Sequence, residues 1–312
     1  MNFLRFLEKI RNPFFDWLFS LITHIGEETV FLVIALVFFW CVSKREGYFI
    51  LITGLVGTVI NQAAKLIFKI PRPWVRDPSF TIVESARAEA TGYSFPSGHT
   101  QNVAGTFGAI GRYSKCTPVR IISVVIIVLV AFSRMYLGVH TPLDVGVSLA
   151  IAAALVFSLY PLFSTEERMY KCMPYVICVS VLLSVGLVLY VFLMPSEGVD
   201  SHNLASGMKN ASTLLGCTLA MIPVYILDRK YVHFETEAAW YSQIIKLIIG
   251  LGGVLAIKAG LSTPLVWLFG NEYVARGVRY FLIVIFAGVI WPLSFKFFSR
   301  LKIPALDNLR KK

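Results

Sequence analysis

Apolar residues occupy long uninterrupted stretches of this chain, separated by shorter polar connections. A stretch of about 20 such residues is long enough for an α-helix to cross a bilayer, whereas the strands of a membrane β-barrel alternate in polarity. The pattern therefore predicts an all-α fold, a polytopic membrane helical bundle with about nine transmembrane helices. The predicted spans are residues 27–43, 47–69, 97–113, 119–139, 141–162, 173–194, 204–227, 240–262 and 277–298, and residues 12–24 are a further candidate.

Residues 1–26 are predicted to form a separate N-terminal interfacial segment. Apolar residues recur there at helical spacing, at Phe3, Leu4, Leu7 and Ile10. Charged residues occupy positions between them, at Arg5, Glu8 and Lys9. This pattern predicts an amphipathic helix that lies in the membrane interface.

A polar stretch at residues 163–172 divides the remaining chain into two parts. Residues 27–172 contain the polar motifs described below and are predicted to be the catalytic membrane core. Residues 173–312 are predicted to be an additional C-terminal transmembrane bundle, to which the sequence assigns no role. The glycines of this part, Gly207 and Gly216 among them, indicate close helix packing.

The composition and charge agree with a multi-pass protein of the cell membrane. Hydrophobic residues make up 56% of the chain and charged residues only 15%, below the level of a soluble domain. The net charge of +11 does not indicate a nucleic-acid partner, because the basic residues cluster at span ends. Those on one face are Lys44, Arg45, Arg112, Lys115, Arg120, Arg168, Lys171, Arg229, Lys230, Arg300, Lys302, Arg310, Lys311 and Lys312. The positive-inside rule makes this face cytoplasmic and places the loop of residues 70–96 outside.

Three polar clusters interrupt the apolar background, and the predicted topology places all three on the extracytoplasmic face. They are Lys65 with Arg72-Pro73, then Pro96-Ser97-Gly98-His99, then Ser133-Arg134 with His140 and Asp144. Ionisable residues at membrane depth are costly and usually functional. A single basic residue near a span end is more often an anchor at the membrane surface. Three clusters on one face are not explained in that way.

The residue types of these clusters suit a phosphate group. Lys65, Arg72 and Arg134 supply cationic donors, and a guanidinium can bind a phosphate through two parallel hydrogen bonds. Ser97 and Gly98 begin a predicted helix, where free backbone N–H groups and the helix dipole favour an anion. These five residues are therefore the predicted phosphate ligands.

The two histidines of the clusters suit nucleophilic and acid–base chemistry. His140 and Asp144 are four residues apart, so on a helix the carboxylate can hold one imidazole nitrogen and leave the other as a nucleophile. His99 can then protonate the leaving oxygen and later deprotonate a water molecule. No group of Asp and Glu residues suited to Mg²⁺ accompanies the clusters in the sequence, so no metal and no cofactor are predicted.

The three motifs, Lys65-x6-Arg72-Pro73, Pro96-Ser97-Gly98-His99 and Ser133-Arg134-x5-His140-x3-Asp144, resemble those of the type-2 phosphatidic acid phosphatase superfamily. That superfamily includes lipid phosphate phosphatases, undecaprenyl-diphosphate phosphatases, glucose-6-phosphatase and soluble vanadium haloperoxidases. The resemblance covers roughly residues 60–150. It implies a phosphohistidine intermediate on His140, with His99 as the acid and base, Asp144 as the orienting residue and the active site on the extracytoplasmic face.

A lipid phosphate or diphosphate is the predicted substrate, because such a molecule reaches a site at the membrane surface by diffusing in one leaflet. Undecaprenyl diphosphate is slightly favoured over substrates of the phosphatidic acid type. The loop of residues 70–96 is the predicted lid over the headgroup, with candidate contacts from Trp74, Arg76, Glu84, Arg87, Glu89 and Tyr93. The alternatives are a phosphotransferase between lipids, a phosphatase for soluble sugar phosphates, and a lipid transporter or flippase. The oligomeric state is not predicted.

Overall fold

The structure is a computed structural model that describes residues 1–194 and 200–301. Its α-helices are Asn2–Lys9 (α1), Pro13–Thr23 (α2), Glu28–Val37 (α3), Lys44–Phe68 (α4), Pro73–Arg76 (α5), Gly98–Tyr113 (α6), Thr117–Tyr136 (α7), Pro142–Leu159 (α8), Glu166–Leu193 (α9), Ser201–Leu227 (α10), Trp240–Gly260 (α11), Ser262–Phe269 (α12), Glu272–Ile285 (α13) and Phe295–Arg300 (α14). Short π-helical turns continue α3, α10 and α13. The predicted all-α membrane bundle is confirmed. The predicted basic tail residues Lys302, Arg310, Lys311 and Lys312 lie outside the described residues.

Within the described ranges, seven helices are long and apolar enough to cross a membrane. They begin at Lys44, Thr117, Pro142, Glu166, Ser201, Trp240 and Glu272. The segments Pro13–Gly26 and Glu28–Val42 qualify only as a pair bent by 51°, which would make an eighth span. Each of the nine predicted spans is helical, but α6 has only 16 residues. At 1.5 Å per residue that is about 24 Å of helix, shorter than a hydrocarbon core of ~30 Å.

α4 is the central helix of the bundle and contacts α3, α6, α8, α9 and α10. Two glycines allow this close packing, since a side chain at Gly54 would collide with the ring of Phe31, and one at Gly47 with Phe39. α6 in turn packs against α7 and α8. Because α4 also contacts α9 and α10, the C-terminal helices are joined directly to the predicted catalytic core.

The N-terminal helix α1 is amphipathic, as predicted, and one side of it packs on the loop of residues 70–96. Leu4 and Leu7 are buried against Phe80 and Ile82 of that loop. The Arg5 guanidinium donates to the Asp77 carboxylate at 2.6 Å. α1 therefore fastens the loop in place with apolar contacts and an ion pair.

Glycines in the C-terminal helices mark close helix packing, as predicted from the sequence. Gly216 on α10 faces the backbone of Gly277 on α13, and a side chain added at Gly216 would collide with the Gly277 carbonyl oxygen. One buried cation in this half was not anticipated. Lys246 of α11 donates to the Thr236 carbonyl oxygen at 3.2 Å and lies 4.3 Å from the centre of the Phe295 ring, so it is paired within the protein.

We expect Gly216→Ala to lower the stability of the protein by about 1–3 kcal/mol, because α10 and α13 must separate to admit the methyl group. The measurement is the melting temperature of the purified protein in detergent. Gly186→Ala on α9 is the matched control, since an added Cβ there meets no atom within 4 Å. The control should melt at the same or a higher temperature, because alanine favours a helix. Equal melting temperatures for the two variants would contradict the close crossing of α10 and α13.

Candidate active site

The three predicted clusters meet at one cavity of about 380 Å³. Six of the eight predicted catalytic and phosphate-binding residues line it, namely Lys65, Arg72, Gly98, His99, Arg134 and His140. Ser97 and Asp144 are buried and contact each other through their backbones, with the Ser97 N–H donating to the Asp144 carbonyl oxygen at 3.1 Å. The structure therefore brings the predicted set together.

His140 lies in the turn between α7 and α8, with its two ring nitrogens in different surroundings. Nη1 of Arg72 is 2.9 Å from Nε2 of His140. A guanidinium can only donate, so Nε2 must be the acceptor and the proton of the neutral ring lies on Nδ1. Nδ1 faces Oδ2 of Asp144 at 3.5 Å, the outer limit of hydrogen bonding. In this tautomer the lone pair of Nε2 accepts the Arg72 N–H, at the edge of the cavity that both side chains line.

Asp144 is held in place by donors other than His140. Its Oδ2 accepts from the Ser94 hydroxyl at 2.6 Å and from the Thr141 N–H at 2.7 Å. The Thr141 hydroxyl accepts from the Asp144 N–H in return, which forms a capping box at the start of α8. One carboxylate therefore both caps a helix and faces the histidine.

Burial lowers the pKa of the His140 imidazole well below its usual range, and the nearby cations Arg72, Arg134 and Lys65 lower it further. An unperturbed histidine side chain has a pKa of about 6.5. The His140 ring therefore stays neutral at pH values at which an unperturbed histidine is protonated, so Nε2 carries no proton.

Arg72 uses four of its five N–H groups on the protein itself. Nε donates to the Gly92 carbonyl oxygen at 3.1 Å, and Nη2 to that of Thr91 at 2.7 Å. Nη1 donates to the Val139 carbonyl oxygen and to His140. While these four bonds persist, Arg72 cannot make the predicted two parallel hydrogen bonds to a phosphate. One N–H of Nη2 has no acceptor among the described residues. An anion that binds a second N–H of Arg72 must displace a present acceptor, and His140 Nε2 is the acceptor on a side chain that lines the cavity.

Arg134 is the cation with the most free donors. It is 1% exposed, and its Nη1 donates to the Thr23 hydroxyl at 2.6 Å. Its Nε has no hydrogen-bond partner among the described residues. Lys65, by contrast, donates to the Tyr93 carbonyl oxygen at 2.5 Å. A buried guanidinium with unpaired donors that lines a cavity is well suited to an anion.

The start of α6 separates the roles of Ser97 and Gly98. The Ser97 hydroxyl accepts from the Thr100 N–H at 3.4 Å and so caps the helix. The Ser97 carbonyl oxygen accepts from the Ser148 hydroxyl at 2.8 Å. Gly98 lines the cavity, and a side chain there would meet no protein atom within 4 Å. The open space beside Gly98 lies at a helix N-terminus, where backbone N–H groups favour an anion.

His99 contacts a residue of the loop. Its Nε2 is 3.3 Å from the Glu89 carboxylate. The hydrogen bond from His99 lowers the pKa of the Glu89 carboxyl to about 2. Glu89 is therefore ionised, and its charge partly offsets the burial and the Arg134 charge that favour the neutral His99 ring.

Within the described part of the chain, His24, Glu27 and Glu89 are the group that could hold a metal ion, with ligand atoms within 4.8 Å of one another. His24 is exposed and already pairs with the Glu27 carboxylate. Glu89 also bonds His99. The group lies beside His99, the predicted acid–base residue, and does not include His140.

The other lid candidates lie in different places, behind the site, on the surface and beside Lys65. The guanidinium groups of Arg72 and Arg87 lie 5.9 and 5.4 Å from the Trp74 ring, so Trp74 packs behind the site. Arg87 and Glu84 pair with each other at 2.7 Å on the surface, and Arg76 is exposed. Tyr93 contributes its backbone carbonyl oxygen to Lys65. The loop carbonyl groups of residues 91–93 were missed in the sequence, because a backbone acceptor leaves no signal in residue type.

Comparisons with known proteins agree with this geometry. Residues 45–168 match the family model of the PAP2 superfamily, and residues 208–303 match that of the PAP2 superfamily phosphatase, transmembrane extension. Phosphatidylglycerophosphatase B of Bacillus subtilis is 30% identical over 180 residues, which are 52% of this chain and 81% of that protein. Undecaprenyl-diphosphatase BcrC of Bacillus subtilis is 33% identical over 115 residues, 37% of this chain and 56% of that protein.

Eukaryotic proteins match as well. Sphingosine-1-phosphate phosphatase 2 of Homo sapiens is 26% identical over 179 residues, 55% of this chain and 44% of that protein. This chain spans less than half of the length of that relative and of the probable sphingosine-1-phosphate phosphatase of Dictyostelium discoideum. No solved structure matches. With the motifs assembled at one cavity and both family models matched, this multi-pass membrane protein belongs to the PAP2 superfamily of phosphatases.

Proposed function

We propose that this protein hydrolyses a lipid phosphate through a phosphohistidine intermediate on His140. The observation that carries the proposal is the placement of the two ring nitrogens of His140. Nε2 faces the Arg72 guanidinium at the cavity, and Nδ1 faces Asp144. Membership of the PAP2 superfamily supports a phosphatase reaction on a lipid substrate.

In the first step, the phosphate replaces His140 as the acceptor of the Arg72 Nη1 N–H, and the freed lone pair of His140 Nε2 attacks the phosphorus atom. The bond between phosphorus and the oxygen of the lipid alcohol breaks, and its electron pair goes to that oxygen. The His99 imidazolium supplies the proton that the leaving oxygen takes up. Asp144 stabilises the positive charge that His140 gains, as an orienting carboxylate does in acyl transfer.

In the second step, His99 removes a proton from a water molecule, whose oxygen attacks the phosphohistidine. The P–N bond breaks, inorganic phosphate leaves and neutral His140 is restored. Arg134, Lys65 and Arg72 offset the negative charge of the phosphoryl oxygens throughout. In this scheme three side-chain cations take the part that a divalent metal takes in other phosphatases, so the reaction proceeds without one.

The extracytoplasmic face is the proposed location of the site. Lys65 lies near the end of α4, and the basic pair Lys44 and Arg45 stands at the opposite end of the same helix. Basic residues of short connections favour the cytoplasm. A site at the other end of α4 then receives its substrate from the outer leaflet.

The proposed substrate is a lipid phosphate or diphosphate. The relatives support this class, because their names refer to phosphatidylglycerophosphate, undecaprenyl diphosphate and sphingosine 1-phosphate. Each of these has a terminal phosphate and a long apolar tail. The membrane location of the cavity supports the same class.

The first test measures phosphate release by the purified protein in detergent with excess EDTA. The panel is undecaprenyl diphosphate, phosphatidic acid, phosphatidylglycerol phosphate, sphingosine 1-phosphate and glucose 6-phosphate. We expect release from at least one lipid, loss of release in His140→Ala, and labelled phosphate on the wild-type protein in an acid-labile bond after rapid quenching. His202→Ala is the control, since His202 is exposed at the start of α10.

Release that EDTA abolishes, or that survives in His140→Ala, would contradict the mechanism. A folded protein that releases phosphate from none of the lipids would contradict hydrolysis itself. Transfer of label to a second lipid would then identify a phosphotransferase.

Glu89→Gln should lower kcat at least about tenfold, because the amide no longer stabilises the protonated His99 that donates to the leaving oxygen. The optimum should also move to lower pH, where more His99 is protonated. Glu84→Gln is the matched control in the same loop, where Glu84 pairs with Arg87 on the surface. The pH profile of kcat measures the effect, and equal profiles for the two variants would rule out a role for Glu89 in proton delivery.

Gly98→Ala should reduce kcat/KM at least about tenfold without loss of stability. The added methyl group enters the space at the helix N-terminus that the phosphate is proposed to occupy, but it meets no protein atom within 4 Å. Gly146→Ala on α8 is the control, because its methyl group is equally free and Gly146 does not line the cavity. Activity assays and melting temperatures compare the two. Full activity in Gly98→Ala would place the phosphate elsewhere.

A further inference from the structure

The catalytic cavity extends beyond the phosphate site into a second polar wall. The lining residues of this wall are Thr58, Asn61, Gln62, Gln101, Asn102, Asn210, Thr213, Arg276 and Tyr280. None of them belongs to the three sequence motifs. Polar side chains inside a membrane bundle are costly unless they have a partner, so their concentration at one cavity requires an explanation.

Two of these side chains have no hydrogen-bond partner in the part of the chain that the structure describes. Asn61 is 1% exposed and Gln101 is 2% exposed. Both the nitrogen and the oxygen of each carboxamide lack a hydrogen bond among the described residues. Leaving a buried polar group unpaired costs about 1–3 kcal/mol. Four such atoms on the wall of one cavity indicate a site prepared for a ligand.

The two amides lie next to the catalytic residues. Asn61 precedes Lys65 by four residues on α4, so it lies on the same helix face one turn, about 5.4 Å, further from the loop. Gln101 follows His99 by two residues on α6, and its amide packs directly over Gly57 of α4. Asn61 is therefore the nearer of the two to Lys65, and Gln101 contacts α4 one turn further along the helix, at Gly57.

The C-terminal extension completes this wall. Asn210 and Thr213 come from α10, and Arg276 and Tyr280 come from α13. Nε of Arg276 donates to the Thr213 hydroxyl at 2.7 Å, which fixes the guanidinium against α10. The helices that match the transmembrane extension therefore form part of the same cavity as His140.

The chemistry of the wall favours a hydroxyl group over a second phosphate. A carboxamide both donates and accepts, and a hydroxyl group can satisfy both functions. A second phosphate only accepts, so it would leave Oδ1 of Asn61 and Oε1 of Gln101 unpaired. Arg276 would attract it, but Nε of that guanidinium already donates to Thr213, and the carboxylates of Glu27 and Glu28 line the same cavity.

We infer that Asn61, Gln101 and the C-terminal extension form a subsite that binds a hydroxyl group on the alcohol part of the substrate, next to the ester bond that is cleaved. This inference rests on the proposed phosphatase function and specifies its substrate class. The enzyme thereby selects phosphate esters of hydroxylated lipids over those of simple alcohols. A site built to pair with a hydroxyl group discriminates strongly against an analogue that lacks it.

The test compares hexadecyl phosphate with 2-hydroxyhexadecyl phosphate, which differ only in the hydroxyl group. Wild-type kcat/KM should be at least about tenfold higher for the hydroxylated ester. Asn61→Leu and, separately, Gln101→Leu should bring this ratio close to one. Thr53→Val is the matched control, because Thr53 is fully buried on α4 with an unpartnered hydroxyl but does not line the cavity. It should keep the wild-type ratio.

Stability gives an independent readout. If the two amides are unpaired until a ligand binds, replacing either with leucine removes unpaired polar atoms. The melting temperature of the substrate-free protein should then rise. A purely structural role predicts a lower melting temperature.

The possible failures are distinguishable. Hydrolysis of both esters at equal rates by the wild-type protein would overturn the subsite and leave the phosphatase function standing. A preference for undecaprenyl diphosphate that Asn61→Leu removes would show that the wall takes a second phosphate, which also overturns the inference. Failure to hydrolyse either ester or any lipid of the first panel would overturn the proposed function itself.

Discussion

The hydrogen bonds of one buried guanidinium organise this site. Arg72 joins the two ends of the loop to the turn between α7 and α8, since it donates to Thr91 and Gly92 in the loop and to Val139 and His140 in the turn. Arg72 is only 6% exposed, so these bonds have little competition from solvent. The tautomer of His140, the position of the loop and the orientation of the nucleophile all depend on them.

The loop of residues 70–96 is consequently anchored at both of its sides. On one side α1 packs Leu4 and Leu7 against it, and Arg5 pairs with Asp77. On the other side its carbonyl groups accept from Arg72 and Lys65. Glu89 reaches His99 from this fixed frame. A segment without regular secondary structure over most of its length thus positions a proton-transfer group.

The sequence predicts the helices and the motif residues well, because both depend on local signals. Membrane spans follow from hydropathy, and every predicted span is helical in the structure. The pairing of His140 with Asp144 follows from their spacing. α6, Gly98–Tyr113, matches the predicted span of residues 97–113 to within one residue, and Ser97 caps its start beside the site.

What the sequence does not predict depends on tertiary contacts. The acceptors of Arg72 are backbone atoms, which carry no residue signature. Arg276 is distant in sequence from every motif, yet the packing of α10 against α13 places it on the catalytic cavity. Asn61 and Gln101 are each followed by a second amide, Gln62 and Asn102, and only the cavity reveals that they face the same space.

The capping box at α8 has a consequence for the choice of an inactive variant for structural work with bound substrate. Asp144 secures the first turn of α8 as well as facing His140, and loss of a helix cap costs about 1 kcal/mol. A change at Asp144 therefore mixes a folding defect with a chemical one. His99 does not cap a helix, so its removal offers a cleaner way to hold an intact lipid in the cavity.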